Sequence, residues 1–176
     1  PGARPFGIPA IADSLDKVIA DYGITLHTNS EVTLVDAASH KVGVTSVGEG
    51  GTDAMLPYDV LHAVPRQSAP DWIKRSALST GDAMGYVDID KHTMQHVRYP
   101  NVFSLGDAGS SPNSKTGAAI RKQAPVVVEN IDSFLTGRPL RASYDGYSSC
   151  PIVTSSDAML LAEFDYDLNL KPSFPL

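Results

Sequence analysis

Cysteine is almost missing from this chain. Cys150 is the only one in 176 residues, so no disulfide joins two parts of it. No apolar run reaches the roughly eighteen residues of a membrane-spanning helix. The opening Pro1-Gly2-Ala3-Arg4-Pro5 holds no apolar core of a secretory leader. Basic residues are in deficit, fourteen Lys and Arg against twenty Asp and Glu. The resulting net charge of −6 disfavours a partner held by its phosphate backbone, and no nucleic-acid binding is expected. The fourteen glycines and thirteen prolines follow no period, which excludes a collagen-like repeat. Gly48-Glu49-Gly50-Gly51 does not fit G-x-G-x-x-G and leads into no helix, so it is not a dinucleotide loop. His92 and His96 are four apart, the spacing of a metal pair on a helix. Thr93 and the Val97-Arg98-Tyr99-Pro100 continuation oppose a helix there, no third ligand follows, and no metal is expected.

What is present is an ordinary globular composition, 42% hydrophobic, at a length long for one domain and short for two. Ile11, Leu15, Val18, Ile19 and Tyr22 form the apolar stripe of an amphipathic helix that begins at Pro9 and stops at Gly23. Ile24–His27, Glu31–Val35, Val42–Val47, Met55-Leu56 and Tyr58–Val64 read as short strands. Gly48 to Gly51 reads as a loose loop. The Pro-bracketed stretch Pro65-Arg66-Gln67-Ser68-Ala69-Pro70 marks a crossing between two structural units. One or two helical turns from Trp72 and short strands at Gly85–Ile89 and Asn101–Leu105 follow. A second helix is capped by Asn113 or Ser114, carries the stripe Ala119, Val126, Val127, Asn130, Ile131 and Phe134, and ends at Gly137. Pro125 inside it is expected to kink or split it. The tail from Tyr144 reads as an open end without terminating structure. A helix followed by a strand meander is an α/β layout.

Two segments carry chemistry. Asn101–Asp107 reads as a strand ending in Gly106-Asp107, which aims a carboxylate off a sheet edge where α/β folds bind ligands. Gly117, Ala118 and Ala119 then open a helix whose N-terminal amides suit an anionic ring or a phosphate. The same residues serve equally as a turn and as helix packing. In Tyr144-Asp145-Gly146-Tyr147-Ser148-Ser149-Cys150-Pro151, the proline forces Cys150 toward extended backbone, so its thiol is expected on a turn rather than in a helix. Activating that thiol needs a nearby positive charge or a helix N-terminus; a buried, inert cysteine is the other reading.

Asn101–Asp107 resembles the Gly-Asp strand that closes the flavin site of two-dinucleotide-domain flavoproteins. Narrower resemblance lies in Pro112-x-Ser114-Lys115-Thr116-Gly117-Ala118-Ala119 with Gln123, in Tyr144 to Pro151, and in Leu161-Ala162-Glu163-Phe164-Asp165-Tyr166. Together these resemble the sulfide:quinone oxidoreductases, in the branch that includes the animal mitochondrial enzyme, from about Phe6 through Pro175. The resemblance implies an incomplete part of an FAD/NAD(P)-binding, glutathione-reductase-like α/β flavoprotein. Residues 1–64 would be the later part of a nicotinamide-type domain and 65–141 the returning part of the FAD domain. Residues 142–176 would begin the redox-cysteine and quinone-side segment.

The resemblance further implies FAD as cofactor, sulfide as substrate, quinone as electron acceptor and a thiol as sulfur acceptor. Cys150 would be the persulfide-forming member of a cysteine pair. Gly106 and Asp107 would meet the ribityl chain of the flavin. Lys115 and Thr116 would sit at its pyrimidine end, and Pro65 near its isoalloxazine. The family's N-terminal G-x-G-x-x-G, its first redox cysteine and its membrane-docking C-terminal segment have no counterpart in these residues. The chain is therefore expected to be an internal fragment of a peripheral inner-membrane protein, soluble, inactive by itself, weak in FAD retention and prone to self-association. An FAD-dependent NAD(P)H:quinone or disulfide oxidoreductase is the alternative, and a non-catalytic remnant of the fold is a second.

Overall fold

The computed structural model describes residues 2–48, 51 and 53–173, which form two compact units divided after Pro65. In the first unit, helix α1 spans Pro9–Asp21. Ile11, Leu15, Val18 and Ile19 of the expected stripe are half-buried on it beside buried Ala12, whereas Tyr22, the last of that stripe, caps the helix and is exposed. Gly23, at φ +65°, ends it in a Schellman motif: its N–H donates to the Ala20 carbonyl, and that of Ile24 to Ile19, 2.9 Å away. Strands β1 (Ser30–Asp36), β2 (Lys41–Ser46) and β3 (Asp53–Pro57) form an antiparallel meander in the order β1-β2-β3. A bulge at Thr33 shifts the β1–β2 register, and its hydroxyl lies 3.1 Å from that of Thr45 across the pair. The Asp36 carboxylate closes the β1–β2 turn, its pKa lowered first by the Ser39 hydroxyl that donates to it at 2.6 Å and then by the amides of Ser39 and Ala38. The loop expected over 48–51 lies partly outside the described residues.

Two expected strands of this unit do not form. Ile24–His27 and Tyr58–Val64 belong to no ladder, and Val60 is 89% exposed. Their β-branched residues fit a pleat, but among the described residues neither segment pairs with a neighbouring strand.

The second unit is built around Ala69, Ile73, Val87, Ile89, Met94, Ala119, Val127 and Tyr144. Helix α2 is one short turn, Asp71–Lys74. The expected strands at 85–89 and 101–105 are single bridges instead: Val87 pairs with Ser79 and Gly109, Ile89 with His96, and Phe103 with Gln95. Helix α3 runs unbroken from Gly117 to Leu135 through Pro125, so the expected split does not occur. Pro125 is exposed, and the Arg121 carbonyl that loses its partner is on an exposed residue, where water can replace it. Thr116 caps the helix, its Oγ1 accepting from the Ala119 amide at 3.2 Å, in place of the expected Asn113 or Ser114. Gly137 at φ +69° closes the other end, with the Arg138 N–H donating to Ser133.

The tail has structure after all. Strands β4 (Ser148–Val153) and β5 (Met159–Phe164) form an antiparallel hairpin, in which Cys150 faces Ala162. Cys150 therefore stands on a strand rather than on a turn. Pro151 is tolerated because both strands of a two-stranded sheet are edges. The hairpin is fastened to the unit by Tyr166, whose hydroxyl donates to the Lys91 carbonyl and lies 2.7 Å from the Ser111 hydroxyl. Phe174, Pro175 and Leu176 lie outside the described residues, and with them the end of the family resemblance. Among the described residues no helix is long and apolar enough to cross a membrane.

Candidate functional site

The Gly106-Asp107 pair forms a single 3₁₀ turn, Gly106–Ala108, following extended Leu105. Gly106 sits at φ +63°, and a Cβ there would lie 3.1 Å from the Ile120 side chain, so both its backbone angle and its packing call for glycine. Its N–H donates to Gln123 Oε1 at 2.7 Å. The carboxylate of Asp107 is exposed and makes no hydrogen bond among the described residues. At the start of α3 the amides of Gly117 and Ala118 are likewise without partners among those residues, and a Cβ at Gly117 would meet nothing within 4 Å. An open acceptor and two open donors at a positive helix end are thus carried by one stretch of chain.

Lys115 stands between them. Its ammonium donates to the Gly109 carbonyl and lies 4.2 Å from the centre of the Tyr86 ring. Burial lowers its pKa, and the negative charge of Asp107 opposes that shift. The Thr116 hydroxyl is committed to its capping bond. Of the six residues singled out from the sequence, Gly106, Asp107, Lys115, Thr116 and Cys150 belong to the second unit, and Pro65 is an exposed residue at the end of the first.

Cys150 lies on β4, against which α3 packs. Its thiol is half-buried; that burial raises its pKa, and the Ser114 side chain partly offsets the rise. No hydrogen bond or ion pair among the described residues brings a cation to it, and burial favours the thiol over the thiolate. Alkylation of Cys150 by iodoacetamide, followed against pH by mass spectrometry, is expected to show a midpoint above that of a free cysteine peptide. A midpoint at or below the peptide's contradicts this.

Two features were not legible. Gln123 appeared only within a motif, yet it is 1% exposed and joins the Gly106 amide to Asn113, its Nε2 donating to Asn113 Oδ1 at 3.3 Å. Glu163 is buried and receives the hydroxyls of Tyr147 and Ser173 and the Ser173 amide, bonds that hold its pKa low. A buried glutamine at a helical position next to alanine carries no outward sign that its partner is a glycine amide seventeen residues away. His96 is also accounted for within the fold: its Nε2 pairs with the Leu78 carbonyl, and its Nδ1 accepts from the amides of Arg98 and Tyr99.

An open carboxylate turn, an open helix N-terminus and a strand-borne thiol thus belong to one compact unit of the chain. The chain belongs to the sulfide:quinone oxidoreductase family. It is 36% identical over 171 residues to the mitochondrial sulfide:quinone oxidoreductase of Mus musculus, covering 97% of this chain and 37% of that protein. To the enzyme of the same name from Dictyostelium discoideum it is 40% identical over 174 residues, covering 99% and 38%. The Schizosaccharomyces pombe enzyme is 40% identical over 151 residues, covering 86% and 32%. The chain thus spans a little over a third of the length of the first two relatives. No family model matches it. One chain of the Tetrahymena thermophila mitochondrial ATP synthase cryo-EM structure shares the fold, with a TM-score of 0.80 over 97% of this chain and 40% of its own length, at 24% identity.

Proposed function

We propose that this chain forms the flavin-facing and sulfur-carrying part of an FAD-dependent sulfide:quinone oxidoreductase. The observation that carries this is Cys150 on a strand packed against α3, whose N-terminus stands open beside the free carboxylate of Asp107. The residues suit a flavin. Asp107 offers an acceptor to a ribityl hydroxyl, and the Gly117 and Ala118 amides offer donors to the pyrimidine edge. Lys115, held by the Gly109 carbonyl, adds positive charge on the same stretch. Bound there, FAD supplies a two-electron acceptor that passes electrons on to quinone.

In this reading Cys150 is the sulfur that is attacked. Hydrosulfide adds to the disulfide between Cys150 and a second cysteine outside these 176 residues. One S–S bond breaks and another forms, leaving Cys150 as a persulfide and the second cysteine as a thiolate that carries the electron pair. A thiol acceptor then takes the outer sulfur from Cys150. Burial that disfavours the Cys150 thiolate suits this assignment, because an attacked sulfur need not ionise first. A membrane-bound quinone as final acceptor makes the parent protein a peripheral membrane protein of mitochondria or bacteria.

The test is anaerobic rapid mixing of the flavin-loaded full-length protein with sulfide or with NADH. Bleaching of the flavin by sulfide and not by NADH is the expected result. Bleaching by NADH alone overturns the proposal in favour of an NAD(P)H-driven enzyme, and a protein that binds no flavin overturns it altogether.

A further inference from the structure

Gln123 lies in the middle of the buried face of α3, one turn from Ala119 and one turn from Val127, both in the core. A leucine would fill such a place without desolvating an amide. The side chain is held instead by polar groups at both ends, and backbone atoms fix which end is which. Its Oε1 must face the Gly106 N–H, a donor, at 2.7 Å. Its Nε2 therefore points to Asn113, whose Oδ1 accepts at 3.3 Å. At the far end Asn113 Nδ2 must face the Ser114 carbonyl, an acceptor, at 2.8 Å, so both amide orientations agree.

The chain of bonds continues into the cysteine hairpin. The Ser148 hydroxyl, 0% exposed on β4, donates to the same Ser114 carbonyl at 3.2 Å and lies 3.5 Å from Asn113 Nδ2. The Ser114 side chain opposes the rise in the pKa of the neighbouring Cys150 thiol. On β4, Ser148 and Cys150 are two apart, so their side chains share one face of the hairpin. A hydrogen-bonded relay thus runs from the Gly106 amide through Gln123 and Asn113 to the Ser114 carbonyl and to Ser148, two residues from the sulfur on β4.

We propose that Gln123 is a positioning residue that sets the Gly106-Asp107 turn and the Cys150 strand in one fixed relation. The inference rests on the reading of Asp107 as the flavin-facing carboxylate and Cys150 as the sulfur carrier. In that reading, Gln123 keeps the reacting sulfur and the cofactor turn at constant separation, although it touches neither substrate nor cofactor. Its two ends have separable duties, Oε1 toward the turn and Nε2 toward the sulfur.

The experiment reads the two ends separately in the purified protein, by amide hydrogen exchange at Gly106 and by peptide-resolved alkylation of Cys150, neither of which needs FAD or sulfide. Asn113→Ala, at a half-buried position, breaks the relay beyond Gln123. It is expected to speed Cys150 alkylation about fivefold while Gly106 stays protected, the scale of losing one net hydrogen bond. Gln123→Leu is expected to speed both alkylation and Gly106 exchange by about that factor. Gln123→Glu keeps the acceptor and loses the donor, so it should restore Gly106 protection and leave alkylation fast. Alkylation in Asn113→Ala within about twofold of the parent rate, or Gly106 exchange unchanged in Gln123→Leu, overturns the assignment. Should Gln123→Leu not fold, the Asn113→Ala and Gln123→Glu pair still decides it. Unchanged alkylation together with sulfide-driven flavin bleaching removes the role of Gln123 and leaves the proposed reaction standing. The expected exchange pattern without bleaching by sulfide does the reverse.

Discussion

Replacing Cys150 by serine in the full-length protein is expected to lower sulfide-dependent flavin reduction by about a thousandfold or more, the scale on which enzymes lose rate with a residue that forms their covalent intermediate. That factor corresponds to about 4 kcal/mol of transition-state stabilisation. The substitution is informative because so little else changes. Serine is nearly isosteric, and the β4–β5 ladder is made by backbone. What it cannot do is form a sulfur–sulfur bond, so the first S–S exchange has no electrophile. Flavin content and melting temperature should match those of the parent protein. A sulfide-driven rate within about tenfold of the parent's would show that Cys150 carries no sulfur, since oxygen cannot substitute in that step. Reduction by dithionite, which bypasses the cysteines, serves as the control and should be unaffected.

Gly146→Ala is expected to give the largest loss of stability. Gly146 adopts φ +87°, and a Cβ there would come within 2.3 Å of Tyr166 Cγ and 2.7 Å of the Tyr166 backbone nitrogen. The backbone angle alone costs an L residue about 1–2 kcal/mol, and overpacking against a fixed ring adds about 1–3 kcal/mol. Together these predict a loss of about 2–5 kcal/mol and a fall in melting temperature on the order of 10 °C. The nearby aromatic groups leave little room to yield. Tyr166 packs edge-on against Tyr144 at 5.6 Å between ring centres and is fixed at its hydroxyl by Lys91 and Ser111. Tyr144 is itself buried, which pushes its pKa up to about 12, and its hydroxyl donates to the Tyr147 carbonyl. Thermal melting followed by circular dichroism checks the prediction. A melting temperature within about 2 °C of the parent would mean that the Tyr166 ring is not held there.

Helices and their stops were legible in the sequence because each is written locally. The stripe from Ile11 to Ile19 with Gly23 behind it, and the stripe from Ala119 to Phe134 with Gly137 behind it, describe α1 and α3 without reference to any other part of the chain. Strands were legible only where a neighbour in sequence became the neighbour in space. Glu31–Val35 and Val42–Val47 pair with each other, whereas Ile24–His27 has the same composition and no partner. The β4–β5 hairpin was missed because Pro151 and the polar Ser148-Ser149 conceal its alternation. In the site, Asp107 and Cys150 stood out by residue type. The relay through Gln123 did not, since it depends on bonds between residues seventeen, ten and thirty-five apart.

The Tyr166 hydroxyl reaches a carbonyl 75 residues earlier in the chain, and His92 meets the Tyr144 carbonyl across 52. The meander of the first unit closes over far shorter loops, with Asp36 facing Lys41 and Thr33 facing Thr45. Loop-closure entropy must be overcome before distant contacts form, so contact order separates the two units in time. The meander can assemble as soon as its own residues are made. The unit that holds the sulfur and the cofactor turn cannot complete its core until Tyr166 has been synthesised and has docked.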